Sequence, residues 1–173
     1  MQRFIFAASL AVAGAAVQAE EPRAVDAAGF DIAGVKLGMD VPSAIEAAAS
    51  FLRVDKGSVK FERQSGSTPG GFIVQTKTQS LTVLFKPFAP SAPAGGEMVI
   101  SIKLAVRYAP EHLNALKAST LEKYGPPTSG MSAGTWSWCR HPDEAGDCPA
   151  GPEPVLSYWP GSLKLADYSQ FPK

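Results

Sequence analysis

The sequence has little excess charge, few histidines and few cysteines, and each shortage excludes a class of function. Its 173 residues include 16 Lys+Arg against 16 Asp+Glu, with two histidines and two cysteines. Because the basic residues form no run, we expect neither nucleic acid nor an anionic membrane surface as a partner. His112 and His141 are too few to complete a zinc site once the cysteines are paired, so no metal and no other cofactor is predicted.

Long apolar runs are also missing, with one exception at the N-terminus. After the basic start Met1-Gln2-Arg3, residues 4–17 carry no charge, and the small residues that end at Ala19 stand directly before Glu20-Glu21. This layout predicts a secretory signal peptide, residues 1–19, cleaved after Ala19. The run is too short to cross a hydrocarbon core of about 30 Å comfortably, so we expect no stable membrane insertion.

The signal peptide sets the remaining boundaries. We expect a flexible N-terminal segment at residues 20–29 and a single domain at residues 30–173. Neither cysteine stands at the cleavage site, so the lipid attachment used by bacterial lipoproteins has no acceptor. The prediction is therefore an exported protein, free in the periplasm, whose oligomeric state the sequence does not specify.

Export gives the two cysteines a structural role. An oxidising compartment favours a disulfide between Cys139 and Cys148, with free thiols as the alternative. The loop that this bond closes is short, and loop-closure entropy gives about 2.7 kcal/mol of stabilisation for its length. We therefore predict a local cross-link within one loop.

Two helices are predicted from their start and stop signals. Asp40 is an N-cap with Pro42 in the first turn, and an apolar stripe continues to about Val54. The alanines of this stripe allow close approach to a sheet. The second helix begins at Pro110 and ends at Gly125, which can adopt the left-handed cap conformation before two prolines.

The remaining apolar runs alternate with a period of two, which predicts strands. The clearest covers residues 99–108, in which apolar side chains occupy every second position through Tyr108. Three short strands are expected after each helix, at residues 59–64, 71–78, 81–85, 135–140, 155–159 and 162–169. The sequence predicts an α+β fold with two helices packed on antiparallel sheet, and its element order suggests a duplicated strand–helix–three-strand unit.

One motif and one loop carry residue types used in catalysis or metal binding. The stretch Gly130-Met131-Ser132-Ala133-Gly134 matches the nucleophile pattern G-x-S-x-G, but a loop precedes it and a strand follows. We therefore predict that the protein is not an enzyme, with a hydrolase at Ser132 as the least favoured alternative. The cysteine loop holds His141 and three carboxylates without the spacing of a calcium loop. A solvated loop is the favoured interpretation, and a metal site is the alternative.

Aromatic side chains supply the candidate contact residues. Alternation places Trp136 and Trp138 on one face of a strand, and Trp159 lies on the next strand. Two interpretations stay open, since these rings either fill the core beneath a helix or form an exposed binding surface. In the proline-rich segment 85–96, Phe88 is a candidate anchor on a stiffened loop, and an ordinary variable loop is the alternative.

Two short motifs resemble signatures of small exported bacterial proteins. Residues 31–40 (DIAGVKLGMD) resemble a G-[IV]-x-L-G-M entry to a helix, and residues 121–127 (LEKYGPP) resemble a helix end of the form K-Y-G-x-P. Together with Trp136 and Trp138, they resemble uncharacterised periplasmic proteins of the beta-lactamase inhibitory protein and outer-membrane assembly lipoprotein superfamily. The resemblance implies a helix pair on an antiparallel sheet that acts by protein contact, and it assigns no functional residue.

These observations lead to a prediction of function. We expect a non-enzymatic, exported module for protein interaction or inhibition, whose partner is an envelope protein. The candidate contact residues are Phe88, Trp136, Trp138 and Trp159. The alternative is a periplasmic protein that binds a small ligand or a metal through the aromatic face or the disulfide loop.

Overall fold

The computed structural model describes residues 24–62, 70–87, 96–130, 134–149 and 151–171. Within these ranges lie two helices, α1 (Val41–Leu52) and α2 (Pro110–Tyr124), and nine strands. The strands are β1 (Asp31–Ile32), β2 (Val35–Lys36), β3 (Lys60–Glu62), β4 (Gly70–Gln75), β5 (Gln79–Pro87), β6 (Glu97–Val106), β7 (Trp136–Trp138), β8 (Pro154–Trp159) and β9 (Ser162–Asp167). The predicted α+β fold is confirmed, while the predicted cleavage site at Ala19 lies outside the described residues.

Seven of the strands form one antiparallel sheet in the order β3-β4-β5-β6-β9-β8-β7, and β1 and β2 form a separate hairpin. The register shifts between Leu84 and Phe85, which pair with Ser101 and Val99 and leave Ile100 without an opposite residue. Such a bulge bends the strand and increases its twist. Because β6 is central in this order, it joins the strands that follow α1 to those that follow α2.

A helix followed by three strands occurs twice, as the sequence predicts, because α1 precedes β3, β4 and β5 and α2 precedes β7, β8 and β9. The entries to the two units differ. β6 is a full strand of the large sheet, whereas the entry to α1 is the β1–β2 hairpin followed by an isolated bridge between Asp40 and Met98. Met98 lies on β6, so the two units share an element order but not a topology.

Local sequence sets both helix ends. The Asp40 carboxylate accepts a hydrogen bond from the Ser43 N–H at 2.9 Å and thereby caps α1. Arg53 ends that helix in the left-handed conformation, with φ of 54°. Pro110 begins α2, and Gly125 ends it with φ of 74° and ψ of −168°. Glycine adopts this positive φ without strain, but the predicted left-handed helical cap is not formed. The predicted bounds are therefore confirmed to within two residues.

Both helices and the β1–β2 hairpin pack on the same face of the large sheet, the helix face. Ala44, Ala48 and Leu52 of α1 meet Leu116 of α2 and the strand side chains in one core. The large sheet contributes Phe72, Val74, Leu81, Val83, Phe85, Val99, Ile102, Leu104, Trp136, Trp138, Leu156, Tyr158, Leu163 and Leu165. Except at the bulge between Val99 and Ile102, these residues alternate along their strands, so the core has the period-two pattern that the sequence predicts.

The predicted strands are present, but their ends are shifted. One of these shifts leaves exposed a residue that was predicted to be buried. Residues 99–108 were expected to form one strand, but β6 ends at Val106. Tyr108, predicted on the buried face, is 82% exposed because it lies beyond that end and before α2. The prediction for Tyr108 is therefore wrong. Ile102 and Leu104 lie in the core as predicted, but at the bulge Val99 joins the core cluster and Ile100 does not.

The disulfide prediction is confirmed, and the bond lies close to the N-terminal segment. Cys139 and Cys148 are joined, with their Cα atoms 5.7 Å apart. The Val25 N–H donates to the Cys139 carbonyl at 2.9 Å, and Ala27 is 1% exposed within the short 3-10 helix Ala27–Gly29. Val25 and Ala27 therefore contact the domain, although they belong to the segment 20–29 that the sequence predicts to be flexible.

The β1–β2 hairpin is attached to the end of α2 through Asp31. The Lys123 ammonium lies 2.7 Å from the Asp31 carboxylate, and the Tyr124 hydroxyl donates to the Asp31 carbonyl. Partial burial raises the pKa of Asp31, but the hydrogen bonds from Lys123 and the Gly34 N–H, together with the Lys123 charge, outweigh it. The pKa of Asp31 therefore lies below its usual value of 3.8.

We predict that Asp31→Asn lowers the free energy of unfolding at neutral pH and that this loss disappears in acid. A carboxyl group whose pKa is depressed by folding stabilises the protein above its unfolded pKa, and the contribution is lost as the pH falls through the folded pKa. Urea denaturation of both proteins from about pH 7 to about pH 2 measures the difference. Glu62→Gln, at an exposed carboxylate of β3, is the control. A difference between wild type and Asp31→Asn that persists at the acid end would contradict this role.

Candidate functional site

Trp136 and Trp138 belong to the core, so the prediction that they contact a partner is corrected. Trp138 is 0% exposed, and its indole N–H donates to the Gly125 carbonyl at 3.2 Å. Trp136 is 6% exposed and stacks on Tyr158, with ring centroids 4.6 Å apart. Both rings lie on the helix face, where the Lys117 ammonium of α2 is 5.3 Å from the Trp136 ring. The alternative that the rings fill the core beneath a helix is the correct one.

His141 and Asp143 of the disulfide loop have partners within the loop or shortly after it. The His141 Nδ1 atom lies 2.8 Å from a Glu153 carboxylate oxygen. The Asp143 carboxylate accepts hydrogen bonds from the N–H groups of Ala145 and Asp147, so it fixes the turn of its own loop. In the part of the chain that the structure describes, no three His, Cys, Asp or Glu side chains are grouped closely enough to hold a metal ion.

Two residues named from the sequence, Phe88 and Ser132, lie outside the described residues. On either side of Ser132, the backbone forms an antiparallel bridge in which Ser129 and Ser137 exchange hydrogen bonds of 3.1 Å. This bridge borders β7, so the chain after the motif enters a strand, as the sequence predicts. The roles of Phe88 and Ser132 stay predictions.

The second face of the large sheet carries neither helix, and we name it the open face. Antiparallel partners point to the same side of a sheet, so its side chains form three rows across the strands. The first row is Glu62, Gly71, Leu84, Ser101, Ala166 and Val155. The central row is Lys60, Ile73, Thr82, Lys103, Lys164, Ser157 and Ser137. The third row is Gln75, Ser80, Ala105, Ser162 and Trp159.

The central row places two lysines side by side. Lys103 of β6 is directly opposite Lys164 of β9, so their Cβ atoms are about 4.5–5.5 Å apart. Lys60 and Lys86 lie on the same face, and Glu62 is the acidic residue of the three rows. Among the described residues, no carboxylate lies within 4.0 Å of the Lys103 or Lys164 ammonium. The open face is therefore basic at its centre.

Trp159 is the tryptophan that the structure leaves accessible. It is 40% exposed and lies on the open face, opposite Ser162. Ser162 in turn pairs with Ala105, so two small side chains border the indole along the row. Lys164 is the diagonal neighbour across β8 and β9, within reach of a large aromatic side chain. Of the candidate contact residues that the structure describes, Trp159 is the one whose position suits the predicted role.

The C-terminal segment also contacts the open face. The Lys164 ammonium lies 5.0 Å from the centroid of the Tyr168 ring and 6.0 Å from that of Phe171. The Asp167 carboxylate accepts a hydrogen bond from the Ser169 N–H and begins the 3-10 helix Tyr168–Gln170. Two cation–π contacts therefore restrict the Lys164 side chain.

Sequence reasoning missed the lysine pair, although each lysine carried a local signal. Lys103 lies between the buried Ile102 and Leu104 of β6, and Lys164 lies between the buried Leu163 and Leu165 of β9. Alternation alone therefore places each lysine on a solvent face. The missing information was that β6 pairs with β9, which brings the two side chains together.

Comparison with known proteins gives no match, since no protein-family model, curated protein or solved structure matches the chain. The resemblance to the beta-lactamase inhibitory protein superfamily therefore stays an expectation. Neither helix of the described residues has the length and apolar content needed to cross a membrane. The function is accordingly inferred from the geometry of the open face.

We predict different stability effects for two tryptophans of this chain. Trp138→Ala removes a fully buried ring and leaves a cavity, so it should lower the free energy of unfolding by about 3–5 kcal/mol. Trp159→Ala, on the open face, should lower it by about 1 kcal/mol or less. Urea denaturation followed by circular dichroism measures both values. Equal losses in the two variants would contradict the assignment of the two faces.

Proposed function

We propose that this chain is an exported, non-enzymatic protein-interaction module of the periplasm, which binds an envelope protein through the open face of its sheet. One-sided packing is the observation that supports this most directly. The helices and the hairpin cover the helix face, while Trp159 and the lysine pair on the other face stay accessible. Inhibition of the partner is one form that such binding can take.

The open face has the composition of a protein-binding surface. Six spacings of about 4.8 Å between seven strands make it about 29 Å wide across the strands, and Trp159 and Lys103 are exposed on it. Small side chains border Trp159, so a second protein can approach the indole closely. Tryptophan is among the residues most enriched in interface hot spots.

The small-ligand and metal alternatives receive less support. Trp136 and Trp138 are buried in the core, so the aromatic face has no room for a ligand. The cavity beside the disulfide loop is lined by Cys139, His141, Pro149, Gly151, Pro152, Glu153 and Val155. Its volume of about 140 Å³ is below the range of about 300–1,000 Å³ that is typical of ligand pockets.

Export is tested on the protein itself. We expect protein from a periplasmic extract to begin at Glu20 and to contain no free thiol, because the signal peptide is removed and the Cys139–Cys148 bond forms in an oxidising compartment. Intact-mass spectrometry before and after alkylation of the denatured, unreduced protein measures both. Ala19→Arg, which blocks cleavage, is the control and should retain the longer chain. A cytoplasmic protein with both thiols alkylated would rule out export.

The binding surface is tested by photo-crosslinking in the periplasm. We predict that a photoreactive phenylalanine analogue at position 159 captures a partner and that the same group at position 51 does not. Phe51 is a matched control because it is 47% exposed and lies on α1, on the helix side of the sheet.

Competition shows whether the captured product depends on the open face. Excess untagged wild-type protein should suppress the product at position 159. Excess Ala105→Arg protein should not, because a long charged side chain in the row of Trp159, two strands away from it, obstructs the surface. Circular dichroism first verifies that Ala105→Arg folds. Equal products at positions 51 and 159, or equal competition by the two proteins, would argue against the open face as the binding surface.

A further inference from the structure

We propose that the partner bound on the open face presents carboxylate groups to Lys103 and Lys164, and is therefore a protein with an acidic contact surface. The inference rests on the proposed function and specifies the chemistry of its partner. It starts from two lysines that lie directly opposite each other on neighbouring strands, and the described residues supply no carboxylate within 4.0 Å of either ammonium group.

The lysine pair is unfavourable in the free protein and favourable in a complex with an anion. Like charges directly opposite each other on antiparallel strands repel and destabilise the sheet. A carboxylate placed between Lys103 and Lys164 accepts a charge-assisted hydrogen bond from each ammonium and removes their repulsion. An acidic partner therefore gains more binding free energy at this position than a neutral partner does.

The rest of the open face cannot replace that anion. Glu62 lies on β3, three strands away from Lys103 on β6, which corresponds to about 14 Å across the sheet. This distance exceeds the Debye length of about 8 Å at physiological ionic strength. Lys60 and Lys86 add positive charge to the same face. The face is thus basic although the chain contains as many acidic as basic residues.

The residues around the lysine pair restrict Lys164 and leave space around Lys103. The rings of Tyr168 and Phe171 restrict the Lys164 ammonium, so less side-chain freedom is lost when a partner binds. Lys103 is bordered by the shorter side chains of Thr82 across the row and Ala105 along the strand. A carboxylate can therefore approach both ammonium groups from the solvent side.

A protein fits these features better than a nucleic acid or a membrane. Nucleic acids and anionic membranes bind through many cations that match a repeated negative charge. The open face instead combines one close lysine pair with an exposed tryptophan and small polar residues. A central aromatic anchor beside a few charges is typical of protein interfaces.

The test uses the isotope-labelled mature protein and a polyglutamate peptide of about ten residues as the probe. NMR shift changes should concentrate around Lys103, Lys164 and Trp159, and the affinity should fall as salt rises from about 0.05 M to about 0.5 M. Lys103→Gln/Lys164→Gln should weaken binding by about tenfold or more. Lys36→Gln/Lys56→Gln removes the same charge from exposed positions off the open face and should leave binding unchanged.

Absence of peptide binding, or an equal loss in the two double variants, would overturn the acidic-partner inference. Tighter lysine-dependent binding to duplex DNA or to phosphatidylglycerol vesicles would overturn it too, because the partner would belong to another class. The crosslink at position 159 separates this inference from the proposed function. If it forms equally well with Lys103→Gln/Lys164→Gln, the partner is not acidic and the open face still binds it. If it never forms, the proposed function itself fails.

Discussion

Apolar side chains at every second position of six strands have to be removed from water, and the two helices and the hairpin of this chain cover one face of the sheet. That constraint determines the rest of the molecule. α1 approaches closely because Ala44 and Ala48 face the strands, while α2 lies over the strand that carries Trp136 and Trp138. Neither helix covers the opposite side of the sheet. There Lys103 and Trp159 are exposed, whereas Ser101, Ser157, Val155 and Ala166 are buried.

Aromatic contacts join the parts of the helix face at the end of α2. The Tyr124 ring is 4.8 Å from Phe30 and 6.2 Å from Trp138, and the Trp138 indole donates to the carbonyl of Gly125. The entry before β1, the helix end and the strand β7 are thus in direct contact. The indole N–H of a buried tryptophan needs a hydrogen-bond acceptor, and the Gly125 carbonyl at the end of α2 provides one for Trp138. The motif at residues 121–127 and Trp138 are therefore joined by a direct contact.

Features controlled by neighbouring residues could be predicted from the sequence, and features controlled by remote contacts could not. The cap at Asp40 and the stop at Gly125 depend on a few adjacent residues, so both helices were predicted within two positions. Alternation placed Trp136 and Trp138 on one face of their strand. The same alternation is expected whether that face is buried or exposed to solvent. The position of α2 decides between the two. Packing of residues 24–29 likewise depends on a remote hydrogen bond to Cys139, which local composition does not reveal.

Charge on the open face is a remote property of the same kind. A balanced composition without basic runs argues against nucleic acid and anionic membrane surfaces, yet β6 and β9 bring Lys103 and Lys164 from distant parts of the chain into one row. Serine and threonine occupy neighbouring positions of that row. Either residue at positions 103 and 164 would suit a polar sheet face without charge repulsion. The helix-face core does not require either lysine. Repulsion between two neighbouring lysines that contribute nothing to the core is expected where a surface is adapted for binding. This is the physical reason to look for the partner at the lysine pair.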